Sequence, residues 1–307
     1  MKSSMSKTPI LFLIFNRPNQ TMEVLDAIRK YAPERIYIAA DGARANKPGE
    51  QEVCAQLRAK VLESIDWKCE VKTHFQPSNI GCKLAVSGAI DWFFEQEEMG
   101  IILEDDCLPN TSFFRFCEEL LEYYKEDERI MQISGNNFQF GKKWGDASYY
   151  FSKYNHIWGW ASWRRAWKLN TLDKSQFDEF VKSNQINYLF QNSSERKFWM
   201  SHFKNVYQNN VDTWDAQWTL SMWMQNGLCI LPNVNLVSNI GFGEDALHTK
   251  DGGHKSSKIP TEEMERSLKH LNNVVCNFMA DIETYESSFK SLSETNVFKK
   301  ILMSLNS

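Results

Sequence analysis

The first third of the sequence alternates short apolar runs with helical patterns, and no other feature restricts the fold as much. Thr8–Phe15, Arg35–Ala40, Cys69–Phe75 and Met99–Leu103 read as buried strands. Between them, Asn19–Tyr31, Glu50–Ile65 and Cys82–Gln96 read as helices of about 12 to 16 residues. A crossover helix of that length returns the chain parallel to the strand it left. The expected class is therefore α/β, with a Rossmann-type, mainly parallel sheet flanked by helices. Neither a GxGxxG after the first strand nor a GxxxxGK[ST] is present, so a bound nucleotide must be held by side chains and a cation rather than by a glycine-rich phosphate loop.

In such sheets ligands bind beyond the carboxyl ends of the strands. Three predicted ends carry polar groups: Asn16-Arg17, Asp41-Gly42 and Glu104-Asp105-Asp106. The last follows Ile101-Ile102-Leu103 directly and precedes Pro109, expected to stop the strand, and Asn110-Thr111-Ser112, expected to cap a helix over Phe113–Tyr124. Three adjacent carboxylates repel one another unless solvent, hydrogen bonds or a cation compensates them. The triplet is thus either a solvated acidic turn or a site for a hard divalent cation, with open positions for diphosphate oxygens. Arg17 offers a guanidinium to a phosphate or a base carbonyl, and Asp41 an acceptor to a ribose hydroxyl or base imide, although each taken alone reads first as a surface charge or a structural turn residue.

Beyond Tyr124 the pattern changes. Ile130–Ser134 and Ser148–Ser152 read as short strands, and four Trp then fall within ten residues, at 158, 160, 163 and 167. From Trp160 the spacing fits a helix burying Trp160, Trp163 and Trp167, which leaves Trp158 and His156 as candidates for facing a sugar. Ser194–Gln208 and a segment opening at Asp212 and ending near Asn226-Gly227 read as helices, Leu228–Leu231 and Asn235–Val237 as strands, and Asn239–His248 as a glycine-punctuated loop. Pro260 to Thr284 has the pattern of an amphipathic helix. The tail, Val297–Leu305 with Lys299 and Lys300, is a candidate either for peripheral membrane contact or for docking on the domain.

Composition excludes several classes. The chain of 307 residues has a net charge of -4, which argues against bulk attraction to nucleic acid. The seven Cys are odd in number, without CxxC pairs or zinc spacing, which favours a reducing compartment. The apolar run Ile10–Phe15 is too short and wrongly flanked for a signal peptide, and no run reaches the ~18 residues of a membrane span. A cytoplasmic protein is expected, with the tail as the one candidate for contact with the inner membrane face.

Together the Asn16-Arg17-Pro18 strand end, the Asp41-Gly42 turn, the Ile101-to-Pro109 acidic segment with its Phe113-Phe114 helix, and Trp214-Asp215 resemble the GT-A glycosyltransferases. The closest likeness is to the inverting N-acetylglucosaminyltransferases that begin complex N-glycans and carry Glu-Asp-Asp in place of the usual Asp-x-Asp. The chain is also similar to a bacterial group of nucleotide-diphospho-sugar transferases, some labelled haemolytic-protein-like. The likeness covers roughly residues 8 to 250, with Leu103-Glu104-Asp105-Asp106 and Trp214-Asp215 its most specific parts.

The resemblance implies a metal-dependent inverting transfer of a hexosyl or N-acetylhexosaminyl group from a nucleotide-diphospho-sugar, expected to be uridine-linked, to a carbohydrate or glycolipid acceptor in polysaccharide synthesis. It implies that Asp106 binds Mn2+ or Mg2+, that Asp105 meets the ribose or metal-bound water, that Glu104 faces the donor sugar, and that Arg17 and Asp41 contact the nucleotide. Asp215 would be the general base, and His248 stands where many GT-A enzymes place a further metal ligand. The eukaryotic pattern has a second acid after the first, whereas Ala216-Gln217 follows Asp215 here. Residues 1–135 would form the nucleotide-sugar half, 136–258 a mixed acceptor half of the same domain, and 259–307 a C-terminal helical extension. Two other readings stand beside this one. One is a nucleotidylyltransferase, although its glycine-rich loop is missing; the other is a non-catalytic carbohydrate-binding or membrane-interacting protein that uses the Trp cluster and basic tail.

Overall fold

The structure, a computed structural model, describes residues 8–242 and 259–290. In chain order its elements are β1 (Ile10–Ile14), α1 (Pro18–Tyr31), β2 (Arg35–Ala40), α2 (Glu50–Glu63), β3 (Glu70–Phe75), α3 (Cys82–Gln96), β4 (Met99–Glu104), β5 (Cys107–Pro109), α4 (Thr111–Tyr123) and β6 (Ile130–Ser134). There follow β7 (Tyr149–Ser152), β8 (Trp160–Trp163), α5 (Arg164–Trp167), α6 (Lys174–Lys182), α7 (Ile186–Leu189), α8 (Ser193–Tyr207), α9 (Asp215–Met224), β9 (Leu228–Pro232), β10 (Val237–Asn239) and α10 (Phe278–Thr284), which runs into a π-helical turn at Tyr285–Phe289.

Eight strands form one sheet in the order β3-β2-β1-β4-β8-β6-β9-β7. The first four are mutually parallel, β8 runs antiparallel to both β4 and β6, and β7 is antiparallel to β9. The alternation of side chains along β1 shows why its apolar run is unbroken. Ile10, Phe12 and Ile14 enter a core closed by α1, α2 and α4, through residues such as Val24, Leu57 and Phe116. Leu11 and Leu13 enter the opposite core, closed by α3, α5 and α9 through residues such as Ile90, Trp167 and Trp218. Both faces are covered, so every position is apolar, and each such side chain contributes about 1.5–3 kcal/mol by leaving water. A third, aromatic-rich cluster joins α6, α7 and α8 to α9 through Phe177, Ile186, Trp199, Phe203 and Trp223.

Three segments differ from their sequence patterns. The helix expected from Trp160 is a strand as far as Trp163, followed by one helical turn. Trp160 enters one core while Ala161 and Trp163 enter the other, a two-residue alternation hidden inside the helical spacing; the facing edges of β4 and β6 need a strand between them, and sheet pairing overrides the local pattern. Past the acids, Pro109 does not simply end a strand, since Cys107–Pro109 pairs antiparallel with Val237–Asn239. The amphipathic helix expected over 260–284 is helical only from Phe278, so the described part of the expected helical extension is mostly an extended strap.

The strap's backbone is satisfied from outside, which removes the need for helical bonds. The Asn235 side-chain amide donates to the carbonyls of Ile259 and Pro260, that of Asn110 to Glu262, and the Arg115 guanidinium to Met264 and Glu265. Met264, Leu268, Leu271 and Val274 meanwhile pack on the α4 face of the core. All seven cysteines are free thiols, and no described helix is long and apolar enough to cross a membrane.

Candidate active site

The chain leaves β1 toward β2 and β3, then returns through α3 to β4 on the other flank of β1. Strand order reverses there, which opens a crevice beyond the carboxyl ends of β1 and β4. Arg17, fixed just before the Pro18 that starts α1, comes from one side; Glu104, Asp105 and Asp106 come from the other. The Arg17 Nη1 lies 2.5 Å from the Asp106 Oδ2 and 3.5 Å from the Asp105 Oδ1. The first amide beyond β1, that of Phe15, donates to the Asp105 Oδ2 at 3.1 Å.

One guanidinium thus faces three carboxylates, and the imbalance shows in their acidities. Burial, followed by the charges of Asp106 and Asp105, pushes the Glu104 carboxyl well above the usual carboxylate range. Burial and Asp106 raise Asp105 to about 7 despite Arg17. Burial alone would lower Arg17, but Asp105 and Asp106 outweigh it and hold the guanidinium above its ordinary value.

The acids open into a cavity of about 570 Å³ that runs along the sheet edge. Its far end is floored by Ala39 and Ala40 and walled by Arg44, His74, Gln76 and Asn79. His74 stacks on Trp92 at 5.1 Å. At the opposite end lie Trp158, Asn239 and Asp215, while Asp212 of the same segment stands against the 81–83 turn. Two close approaches shape this end. Gly159 has φ +64 and packs against Leu103 and Val237, and Gly241 lies so close that a Cβ there would come within 2.2 Å of the Asp106 Oδ2. Ile240 also donates its amide to the Asp106 carbonyl at 2.8 Å.

Asp41 lies in the cavity wall, yet its carboxylate is already engaged. One oxygen accepts from the amides of Gly42 and Ile80, and the other from the Asn79 side-chain amide and the Gly81 amide, at 2.8–3.1 Å. Four donors fill its acceptor sites, so Asp41 organises the loop before α3 and has no lone pair left for the base or ribose contact expected from sequence. Asp215, the first residue of α9, accepts at Oδ1 from the Thr213 hydroxyl. Trp214 between them stacks on Trp160 at 5.6 Å.

Arg17, Asp41, Glu104, Asp105, Asp106 and Asp215 therefore line one cavity, and Trp158 joins them. His156 does not: it is buried behind the wall against Phe138, at a ring distance of 4.6 Å. His248 lies outside the described residues. Among the described residues no three His, Cys, Asp or Glu side chains form a ready cage for a metal ion. The donor set nevertheless fits a hard cation, because it offers only oxygen ligands and one guanidinium for three carboxyl groups, whose remaining charge is offset by protons or by a cation. Sequence reading missed Asp212, Asn239 and Gly241, whose roles depend on contacts across the cavity.

No known family's sequence profile matches the chain, and no curated protein matches it. Solved structures do resemble it. The mannosyltransferase PcManGT of Pyrobaculum calidifontis, in complex with GDP-Man and Mn2+, is 13% identical over 53% of this chain and 46% of its own, with a TM-score of 0.35. HddC of Yersinia pseudotuberculosis is 8% identical over 52% of this chain and 77% of its own, with a TM-score of 0.32. The glycosyltransferase GlyE of Streptococcus pneumoniae is 10% identical over 96% of this chain and 64% of its own, with a TM-score of 0.31. The likeness is one of α/β layout, and the chain spans about half the length of the mannosyltransferase.

Proposed function

We propose that the protein is an inverting glycosyltransferase that moves a sugar from a nucleotide-diphospho-sugar, with uridine the favoured base, to a hydroxyl of a carbohydrate or glycolipid acceptor. One observation carries the reading: the Arg17–Asp105–Asp106 cluster at the strand-order reversal and Asp215 on α9 line the same cavity. The diphosphate lies by Arg17, with the base toward Ala40, His74 and Gln76. A divalent cation, held by Asp106 with Asp105 or Glu104 beside it, would supply charge neutralisation for the departing diphosphate. Arg17 adds to it from the protein side, stabilising charge as it develops. The acceptor hydroxyl attacks the anomeric carbon from the face opposite the phosphate, the carbon–oxygen bond to phosphate breaks, and the hydroxyl proton passes to Asp215. Thr213 takes one acceptor site on the Asp215 Oδ1 and helps to hold the carboxylate in place, while its remaining lone pairs are free to accept the proton. Trp158 offers a flat face for a sugar. Asp41 serves the donor indirectly, by fixing the 79–81 loop.

Calorimetric titration of UDP, and then GDP, into the wild type and Asp106→Ala, with Mn2+ and with chelator, tests this. Metal-dependent binding that Asp106→Ala loses is the expected result; equal binding in all four conditions, or none, sinks the proposal.

A further inference from the structure

The start of α3 has a gap in its own capping that another part of the chain fills. Its N-cap residue is Gly81, with φ +88 and no side chain to offer, and the first amides of a helix need acceptors. Four consecutive amides, those of residues 80 to 83, are taken by two distant carboxylates. Asp41 at the end of β2 accepts from Ile80 and Gly81 at 3.0 and 3.1 Å. Asp212 accepts from Cys82 at 2.8 Å through Oδ2 and from Lys83 at 2.9 Å through Oδ1. The Lys83 ammonium donates to the Asn209 Oδ1 at 2.6 Å, so the segment before α9 is fastened twice. A Cβ at position 81 would stand 2.7 Å from the Asp212 Oδ2. Gly81 is therefore required for both its backbone angle and its clearance.

Asp212 lies three residues before Asp215. Between them Thr213 bonds the Asp215 carboxylate and Trp214 is stacked on Trp160. We infer that Asp212 is a positioning residue for Asp215, anchoring the acceptor-side segment to the N-terminus of α3 and, through the shared amide run, to the donor side at Asp41. The assignment rests on the reading of Asp215 as the base. Asp212 touches neither the triplet nor Arg17 among its hydrogen-bond partners, so its loss releases Asp215 and leaves the donor end in place.

The test compares the wild type with Asp212→Ala and with the isosteric Asp212→Asn, which keeps one acceptor oxygen and folds if the alanine variant does not. Hydrogen exchange is measured over residues 80–84, 209–216 and 101–108, together with UDP release from UDP-glucose and UDP-N-acetylglucosamine in the presence of Mn2+. In both variants exchange over 82–84, whose first two amides Asp212 holds, and over 209–216 speeds up at least tenfold, while 80–81, held by Asp41, and 101–108 are unchanged. Donor KM stays within about twofold and kcat drops at least tenfold, the mark of a misplaced reacting group rather than a damaged binding site. Wild-type exchange over 209–216, or a kcat within about twofold of wild type, overturns the inference. A wild type that binds and cleaves no nucleotide sugar refutes the transferase reading instead, and the exchange result alone then decides whether Asp212 anchors the segment.

Discussion

His156 makes acid sensitivity calculable. It is 3% exposed, and its Nε2 is buried without a hydrogen-bond partner. Burial lowers its pKa from 6.5 to about 3. A depressed imidazole pKa means that the unfolded chain takes up a proton, between these two values, that the folded one refuses. Stability is therefore complete above pH 6.5 and is lost as the pH falls toward 3. Between pH 7.5 and pH 5 this single group removes about 2 kcal/mol, and the slope approaches ~1.4 kcal/mol per pH unit. The comparison protein is His156→Leu. The network that uses residue 156 runs through its backbone, whose carbonyl accepts from Gln132 and Ser134 and whose amide donates to the Ser134 hydroxyl, so the substitution leaves those bonds in place. Lost packing against Phe138 is a cost independent of pH. Urea unfolding of both proteins across this range reports the difference, with wild type losing about 2 kcal/mol more than the variant. Parallel curves would show that the imidazole is reached by water or protons in the folded state and would refute the argument.

A second acid-sensitive group acts in a lower window. Arg44, with help from Asn16, holds Glu50 down at about 2 from 4.5, so its stabilisation is present above pH 4.5 and drains as the pH falls toward 2. Wild type should lose about 2 kcal/mol between pH 5 and pH 3 that Glu50→Gln does not, read by the same urea method. The clearance at Gly241 predicts that Gly241→Ala displaces Asp106, already tied to Arg17, and weakens Mn2+-dependent UDP binding at least tenfold by calorimetry. Gly88→Ala, inside α3 with open space around it, should instead leave binding unchanged and raise stability by up to about 1 kcal/mol in thermal melts.

The parallel half was legible because each of its central strands is buried on both faces and so appears in the sequence as an apolar run with polar residues at its end. Arg17 and the acidic triplet could be placed on one edge for the same reason. Trp160–Trp163 and the strap were not legible, since their conformations are set by partners far along the chain: two strand edges for the first, and Asn110, Arg115 and Asn235 for the second. Asp41 shows the same limit at the site. Its position beyond β2 could be read from sequence, but the four donors that occupy it come mostly from a loop nearly forty residues on. Asp212 carried no local signal, because its partners are the amides of a helix on the other side of the cavity.

The rings of Trp160 and Trp167 stand 5.1–6.4 Å, centre to centre, from each other and from those of Trp214 and Trp218. At that spacing excitation absorbed by one indole is shared among all four before it is emitted. Only Trp214 of the four borders the cavity, so the quartet gathers light over a large part of the interior and exposes its emission to quenching at one ring. A ligand seated in the cavity beside Asp215 is therefore expected to alter the emission of the quartet, which offers a label-free test of occupancy at that point.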